Sequence, residues 1–262
     1  MTLTPGTIDE AAAQLFAADA NSAPIGQLTQ RYPGMEVADA YAIQQVNLAR
    51  RLAGGRTLVG HKIGLTSEPM QTLLGVDQPD FGYILDTMVI AKGAGVPRSR
   101  FCSPRVEPEV AFLLREPLRG PGVGIEQVRA ATEAVAVALE IVDSRIADWK
   151  LTLPDTVADN ASSGAVVLGD WVPYTEAIDL AGARASLRLN GTEIDTGFGS
   201  AVLGDPAAAV AWLANALVPF GTEIVAGQFI MSGSFTTAAF VQAGDAASAT
   251  IDGLGTVSLT FT

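Results

Sequence analysis

The chain has 262 residues, with 16 Lys plus Arg against 28 Asp plus Glu, a formal net charge of −12. Apolar residues at 48% and charged ones at 17% describe a globular, core-rich chain rather than a disordered one. One His (His61) and one Cys (Cys102) exclude an internal disulfide, a CxxC redox pair and a Cys/His zinc cluster, so any metal must be held by oxygen, and the acidic balance disfavours nucleic acid.

Residues 1–10 lack the basic stretch and apolar run of a secretory signal, and the longest apolar tract, Ala207–Phe220, is interrupted by Asn215 and reads as too short to cross a membrane. The expected location is the cytoplasm. The first fifty residues read as helix: Thr7 and Glu10 have capping-box spacing, and a second helix over Val37–Leu52 is closed by Gly54 and Gly55. Strand signals begin at Thr57–Ile63. Val106–Leu114 reads as strand, Ile125–Thr132 as a short helix and Val135–Val142 as a strand buried on both faces. Asp155 is placed to cap a short helix ending near Asn160, followed by a strand at Ala165–Leu168. Asn190-Gly191 marks a hairpin, and Asp205-Pro206 opens a helix running to about Leu217. Four or five short strands fill Glu223–Thr262. The pattern is α+β, a small helical region over residues 1–56 followed by a strand-rich body over 57–262, because the strands do not alternate regularly with helices.

Three carboxylates need an explanation. In Arg105-Val-Glu-Pro-Glu109, strand alternation puts Glu107 and Glu109 on one face, where they either form a solvated strip or converge on a cation. Glu140 stands alone in the apolar run Ala136–Val142, where a buried carboxylate needs a partner (Arg105 or Arg145), a metal, or a proton. Together the three offer the oxygen ligands that Mg²⁺ or Mn²⁺ takes. Lys62, between Gly60 and Gly64 in an apolar strand, suits proton transfer or anion binding if buried, and is otherwise a snorkelling surface lysine. His61 should point the opposite way and be structural, and Cys102 likewise reads as structural. Asp77 and Asp80 flank a turn signal.

Gly60-His-Lys-Ile-Gly-Leu-Thr-Ser67, Leu74-Gly-Val-Asp-Gln-Pro-Asp-Phe-Gly82, Arg105-Val-Glu-Pro-Glu109, Leu139-Glu-Ile-Val-Asp-Ser-Arg145 and Asp159-Asn-Ala-Ser-Ser-Gly164 together resemble the 2-keto-4-pentenoate hydratase family, which includes 4-oxalocrotonate decarboxylases. The resemblance implies the fumarylacetoacetase C-terminal fold, a mixed β-roll. It implies a divalent ion on Glu107, Glu109 and Glu140, catalytic roles for Lys62 and Asp80, and Ser162 near the substrate. Ser234, in Ser232-Gly-Ser-Phe235, joins Phe81, Ile84 and Leu85 as an expected pocket residue. The implied reaction is addition of water to a 2-hydroxy-2,4-dienoate in meta-cleavage catabolism, giving a 4-hydroxy-2-oxo acid. Alternatives are decarboxylation of a 2-oxo-3-enedioate, acylpyruvate hydrolysis through His61, or a non-catalytic subunit of an aldolase or decarboxylase complex. The family further implies a homo-oligomer, with a pentamer-based assembly among the forms it allows.

Overall fold

Thr4 starts the first helix: its hydroxyl accepts from the Thr7 N–H, and Pro5 takes the first helical position, where no N–H is needed. The helix therefore begins before the Thr7–Glu10 pair that the sequence suggested. A computed structural model describes residues 2–262, the side chains of Met70, Leu73 and Leu74 excepted; the first residue of the Leu74–Gly82 motif thus lies outside the described side chains. Helices α1 (Pro5–Asn21), α2 (Leu28–Arg31) and α3 (Val37–Ala53) form the helical region. Their apolar faces bury Leu15, Leu28 and Ile43 against Ile146 and Val157 of the body.

The body opens with β1 (Leu58–Gly64), α4 (Glu68–Leu74) and β2 (Asp80–Leu85). The two-residue strands β3 (Val89–Ile90) and β4 (Gly95–Val96) lead to the long pair β5 (Arg105–Leu114) and β6 (Thr132–Val142), joined through α5 (Ile125–Ala131). Then come α6 (Leu153–Ala158), β7 (Ser163–Leu168), β8 (Val172–Pro173), the Asn190-Gly191 hairpin of β9 (Arg184–Leu189) and β10 (Thr192–Phe198), and α7 (Pro206–Ala216). Strands β11 (Phe229–Ser234), β12 (Ala239–Phe240), β13 (Ala246–Ile251) and β14 (Gly255–Phe261) finish the chain.

Two small corrections concern helices. Asp155 caps α6 from its third position rather than from the N-cap: it completes a capping box with Thr152, accepting from the Thr152 N–H at 3.0 Å, and it also accepts from the Thr29 N–H at 3.0 Å, tying α2 to α6. The stretch Gly199–Phe220, taken as one segment, has the length and mean hydropathy (1.5) of a membrane span, contrary to the sequence reading. Half of that stretch is buried inside the protein, and its helix α7 packs Ala207, Val210 and Leu213 into the main core.

Nine strands form one sheet, in the order β2-β1-β11-β5-β6-β7-β3 with β12 and β8 attached to β5 and β6, and five form a second, β10-β9-β13-β14-β4. Alternation divides β5 and β6 cleanly. Val106, Val110, Phe112, Val135, Val137, Leu139 and Ile141 join the main core, which also takes Leu187, Ala249 and Val257 from the second sheet. The other face carries Glu107, Glu109 and Glu140. This first sheet curls on itself: the Asn160 amide donates to Tyr83 O at 3.0 Å and accepts from Tyr83 N at 2.8 Å, clamping β2 to the turn before β7. The concave face so formed has an apolar floor of Ile84, Ala111, Ala138, Val166, Phe229 and Met231.

Candidate active site

Regular pairing of β5 with β6 sets Glu107 directly opposite Glu140, and pairing of β11 with β5 sets Ser234 opposite Glu109. One carboxylate oxygen from each of Glu107, Glu109 and Glu140 lies within 4.8 Å of the others. Glu109 and Glu140 are each 1% exposed, and neither Glu140 oxygen accepts a hydrogen bond. Glu109 is oriented by the Gly233 N–H, which donates to its Oε2 at 2.8 Å. Gly233 holds φ +107° where β11 breaks register between Met231 and Ser234, a backbone conformation costly for any other residue.

Lys62 reaches this cluster from β1, three strands from β6 in the sheet order, with Nζ 3.7 Å from Glu140 Oε1. Three strand spacings in a flat sheet would be about 14 Å, so curling and the length of the lysine together make the contact. Asp80 lies opposite Gly64 on β2 and is 2% exposed. A Cβ on Gly64 would run into Asp80 Oδ1 and approach Lys62 Nζ, so the glycine leaves room for the two charged groups.

The electrostatics are those of an acidic cluster with one internal cation. Burial, and then the Glu140 charge, push Glu107 up to about 7, against the opposing pull of Lys62 and the nearby Ser234 hydroxyl. Burial followed by Glu140 and Glu107 raises Glu109 well above the usual carboxylate range. Burial also raises Asp80, with Lys62 opposing. Lys62 is the reverse case: burial alone would lower it, but Glu140, Asp80, Glu107 and Glu109 raise it, so it stays an ammonium. Four carboxylates around one ammonium call for a further cation, and a donor set made only of oxygen suits a hard divalent ion. The residues fit such an ion.

Several sequence readings change here. Neither arginine pairs with Glu140: Arg145 is committed to Asp159, with Nε 2.5 Å from Oδ1, and Arg105 lies between Trp149 and Phe240. Lys62 is buried rather than snorkelling. Phe81 and Leu85 alternate to the back of β2; Phe81 stacks on Tyr41 with ring centroids 4.5 Å apart. Phe235 belongs to the main core, so Ile84 and Ser234 are the pocket residues of that group that face inward. Ser162 is buried, and its hydroxyl lies 3.3 Å from that of Thr156. His61 points away from Lys62, is 5% exposed, and is held neutral by burial, which lowers it to about 4. Cys102 carries no activation, burial and Asp143 raising its thiol to about 12. The sequence marks Asp159–Gly164 as a motif but not its backbone: Asn160, Ala161 and Ser162 have φ of +55°, +50° and +53°, a left-handed turn without glycine for which composition gives only the weak signal of an Asn.

Residues 55–262 match the fumarylacetoacetate (FAA) hydrolase C-terminal family. The chain belongs to this family. Within it, the chain is 46% identical over 251 residues to a 2-hydroxyhexa-2,4-dienoate hydratase of Comamonas testosteroni, covering 95% of each chain. It is 42% identical over 259 residues to a 2-keto-4-pentenoate hydratase of Paraburkholderia xenovorans, covering 99% of this chain and 96% of the relative. Among solved structures of the family, the 4-oxalocrotonate decarboxylase of Pseudomonas putida G7, complexed with magnesium and adipate, superposes with a TM-score of 0.96 at 37% identity, covering 100% of this chain and 99% of that one. The expected fold, a curled mixed β-structure of the FAA hydrolase C-terminal type, is the one observed.

Proposed function

We propose that this chain is a divalent-metal-dependent hydro-lyase that adds water to a 2-hydroxy-2,4-dienoate, of penta- or hexadienoate type, to give a 4-hydroxy-2-oxo acid. The carrying observation is the triad Glu107, Glu109 and Glu140, the last two buried, with Lys62 beside it; hydration rather than another family chemistry is supported by the hydratase relatives that span nearly the whole chain. Glu107, Glu109 and Glu140 would hold Mg²⁺ or Mn²⁺. When bound, the ion supplies Lewis-acid polarisation of the substrate's 2-oxo group.

Lys62, kept charged, donates a hydrogen bond to the C2 oxygen and stabilises the negative charge that develops there as water adds at C4. Asp80, raised by burial, is suited to accept a proton from the dienol or the attacking water and return it to carbon. Ser234 and Ser162 are assigned to substrate contacts, and residues 57–262 are read as the catalytic body, with residues 1–56 as its helical flank. The meta-cleavage setting and a cytoplasmic location follow from this reading, as does a homo-oligomeric assembly.

The decarboxylase structure favours a second reading, loss of CO₂ from a 2-oxo-3-enedioate. Supplying 2-hydroxypenta-2,4-dienoate or its hexadienoate homologue with and without Mg²⁺, and following loss of dienoate absorbance, tests the proposal. Mg²⁺-dependent loss with formation of the 4-hydroxy-2-oxo acid is expected. CO₂ release from 4-oxalocrotonate with no turnover of dienoates would overturn hydration in favour of decarboxylation.

A further inference from the structure

Arg105 opens β5 two residues before Glu107, and pairing with β6 runs without a break from Arg105 to Leu113, so Arg105 shares the face of the glutamates. Its guanidinium carbon lies 4.1 Å from the ring centroid of Trp149 and 4.1 Å from that of Phe240. Trp149 is itself fixed, its indole N–H donating to Ser103 O at 3.0 Å, and Phe240 is the cross-strand partner of Arg105 on β12. Phe240 is 54% exposed, which puts the sandwich at the rim of the concave face.

Among the described residues, no Arg105 nitrogen donates to a protein acceptor or lies within ion-pair distance of a carboxylate, and the buried Nε has no partner. Two rings therefore fix the plane of a guanidinium whose donating edge is uncommitted. Such a fork matches a carboxylate bidentately. Of the strand residues on the concave face, only Lys62 and Arg105 are cationic, and Lys62 is engaged by Glu140. An anionic substrate approaching a cluster of four carboxylates on a chain of net charge −12 meets Arg105 as the one uncommitted cation of that face.

We propose that Arg105, clamped by Trp149 and Phe240, is the docking residue for the carboxylate of the 2-oxo acid substrate at the mouth of the site. The proposal rests on the functional reading above for the substrate class, and it places Arg105 in binding and specificity rather than in the chemical step. It assigns the two aromatic residues the task of holding the fork in place.

The test is binding of 2-oxopentanoate, a saturated analogue without the diene, to Mg²⁺-loaded protein by calorimetry, beside steady-state kinetics on the dienoate. Arg105→Gln is expected to weaken 2-oxopentanoate by about tenfold to a hundredfold, as loss of a charge-assisted pair does. KM should rise in parallel with kcat changed much less, while Mg²⁺ affinity measured without the analogue is not weakened. Arg105→Lys should recover part of the loss, Phe240→Ala should weaken binding modestly by freeing the fork, and the neutral 2-oxopentanamide should be indifferent to Arg105→Gln. Unchanged 2-oxopentanoate affinity in folded Arg105→Gln, or equal loss for acid and amide, overturns the proposal. If wild-type protein binds the oxo acid through Arg105 yet turns over no dienoate, the docking role stands and the hydratase reading fails.

Discussion

Glu140 lies between Glu107 on one neighbouring strand and Val166 on the other, 1% exposed, with neither oxygen accepting a hydrogen bond. Glu140→Gln keeps the shape and removes one charge from the cluster. It should abolish the rise in Tm that Mg²⁺ produces in the wild type and lower dienoate turnover at least a hundredfold; a variant retaining both would remove Glu140 from the ligand set. Lys62→Met separates the other role. Mg²⁺ binding should persist while kcat falls by about two to four orders of magnitude, the usual range for loss of a proton-handling group, and unchanged kcat would take Lys62 out of the reaction. At this scale the sequence was legible where a residue type contradicted its surroundings. A lone Glu in Ala136–Val142 and a Lys between glycines announce themselves because burying a charge needs a reason. Phe81 did not: β2 is buried on both faces, so no alternation of polarity says which side its ring takes. The choice is made by Tyr41, Phe220 and Trp212, which come from distant parts of the chain.

Among the elements, the turn 160–162 bears most directly on the site. The Asn160 amide stands in for a strand edge, satisfying the N–H and the C=O of Tyr83 at once, and it does so from a left-handed backbone. Asn160→Ala leaves two buried backbone groups unpaired, at about 1–3 kcal/mol each, and gives up the residue type most tolerant of that conformation. The denaturation midpoint should fall by an amount corresponding to about 2–6 kcal/mol, and amide exchange at Tyr83 should quicken more than at Val137; an unchanged midpoint would show that the clamp is not needed for closure. A gentler perturbation, Gly64→Ala, should spare the fold more than the chemistry by displacing Asp80 from Lys62, visible as lowered kcat with near-native Tm. Most strands and the helix after Asp205-Pro206 were readable because capping residues, Asn-Gly and alternation are local signals. The curling of the sheet was legible only through the family resemblance, and its closure through Asn160 not at all, since that depends on partners 77 residues apart.

For the whole molecule, the acidic cluster couples folding to both protons and metal. Burial raises Glu107 to about 7 from 4.5 and raises Glu109 well above 4.5. The folded metal-free protein therefore binds more protons than the unfolded chain across that interval, so these two groups oppose folding increasingly as pH rises from about 4.5 through 7 and beyond. A bound divalent ion favours the ionised carboxylates and removes that penalty. The difference in Tm between Mg²⁺-saturated and metal-free protein should thus grow between pH 5.5 and 8, and Glu140→Gln should flatten it. A difference independent of pH in the wild type would contradict the cluster's electrostatics.

The two-sided construction of β5 and β6 has a consequence for how this site can change. Even-numbered residues of β5 fill the core and odd-numbered ones face the cavity. A slip of one residue between these strands would drive carboxylates into the hydrophobic interior and turn Val106 and Val110 toward the cavity. The interior thereby proofreads the position of the glutamates. Variation that retunes the chemistry is confined to substitutions at alternate positions, and a single-residue insertion or deletion in either strand would be lost as a folding defect before it could be tried as a new active site.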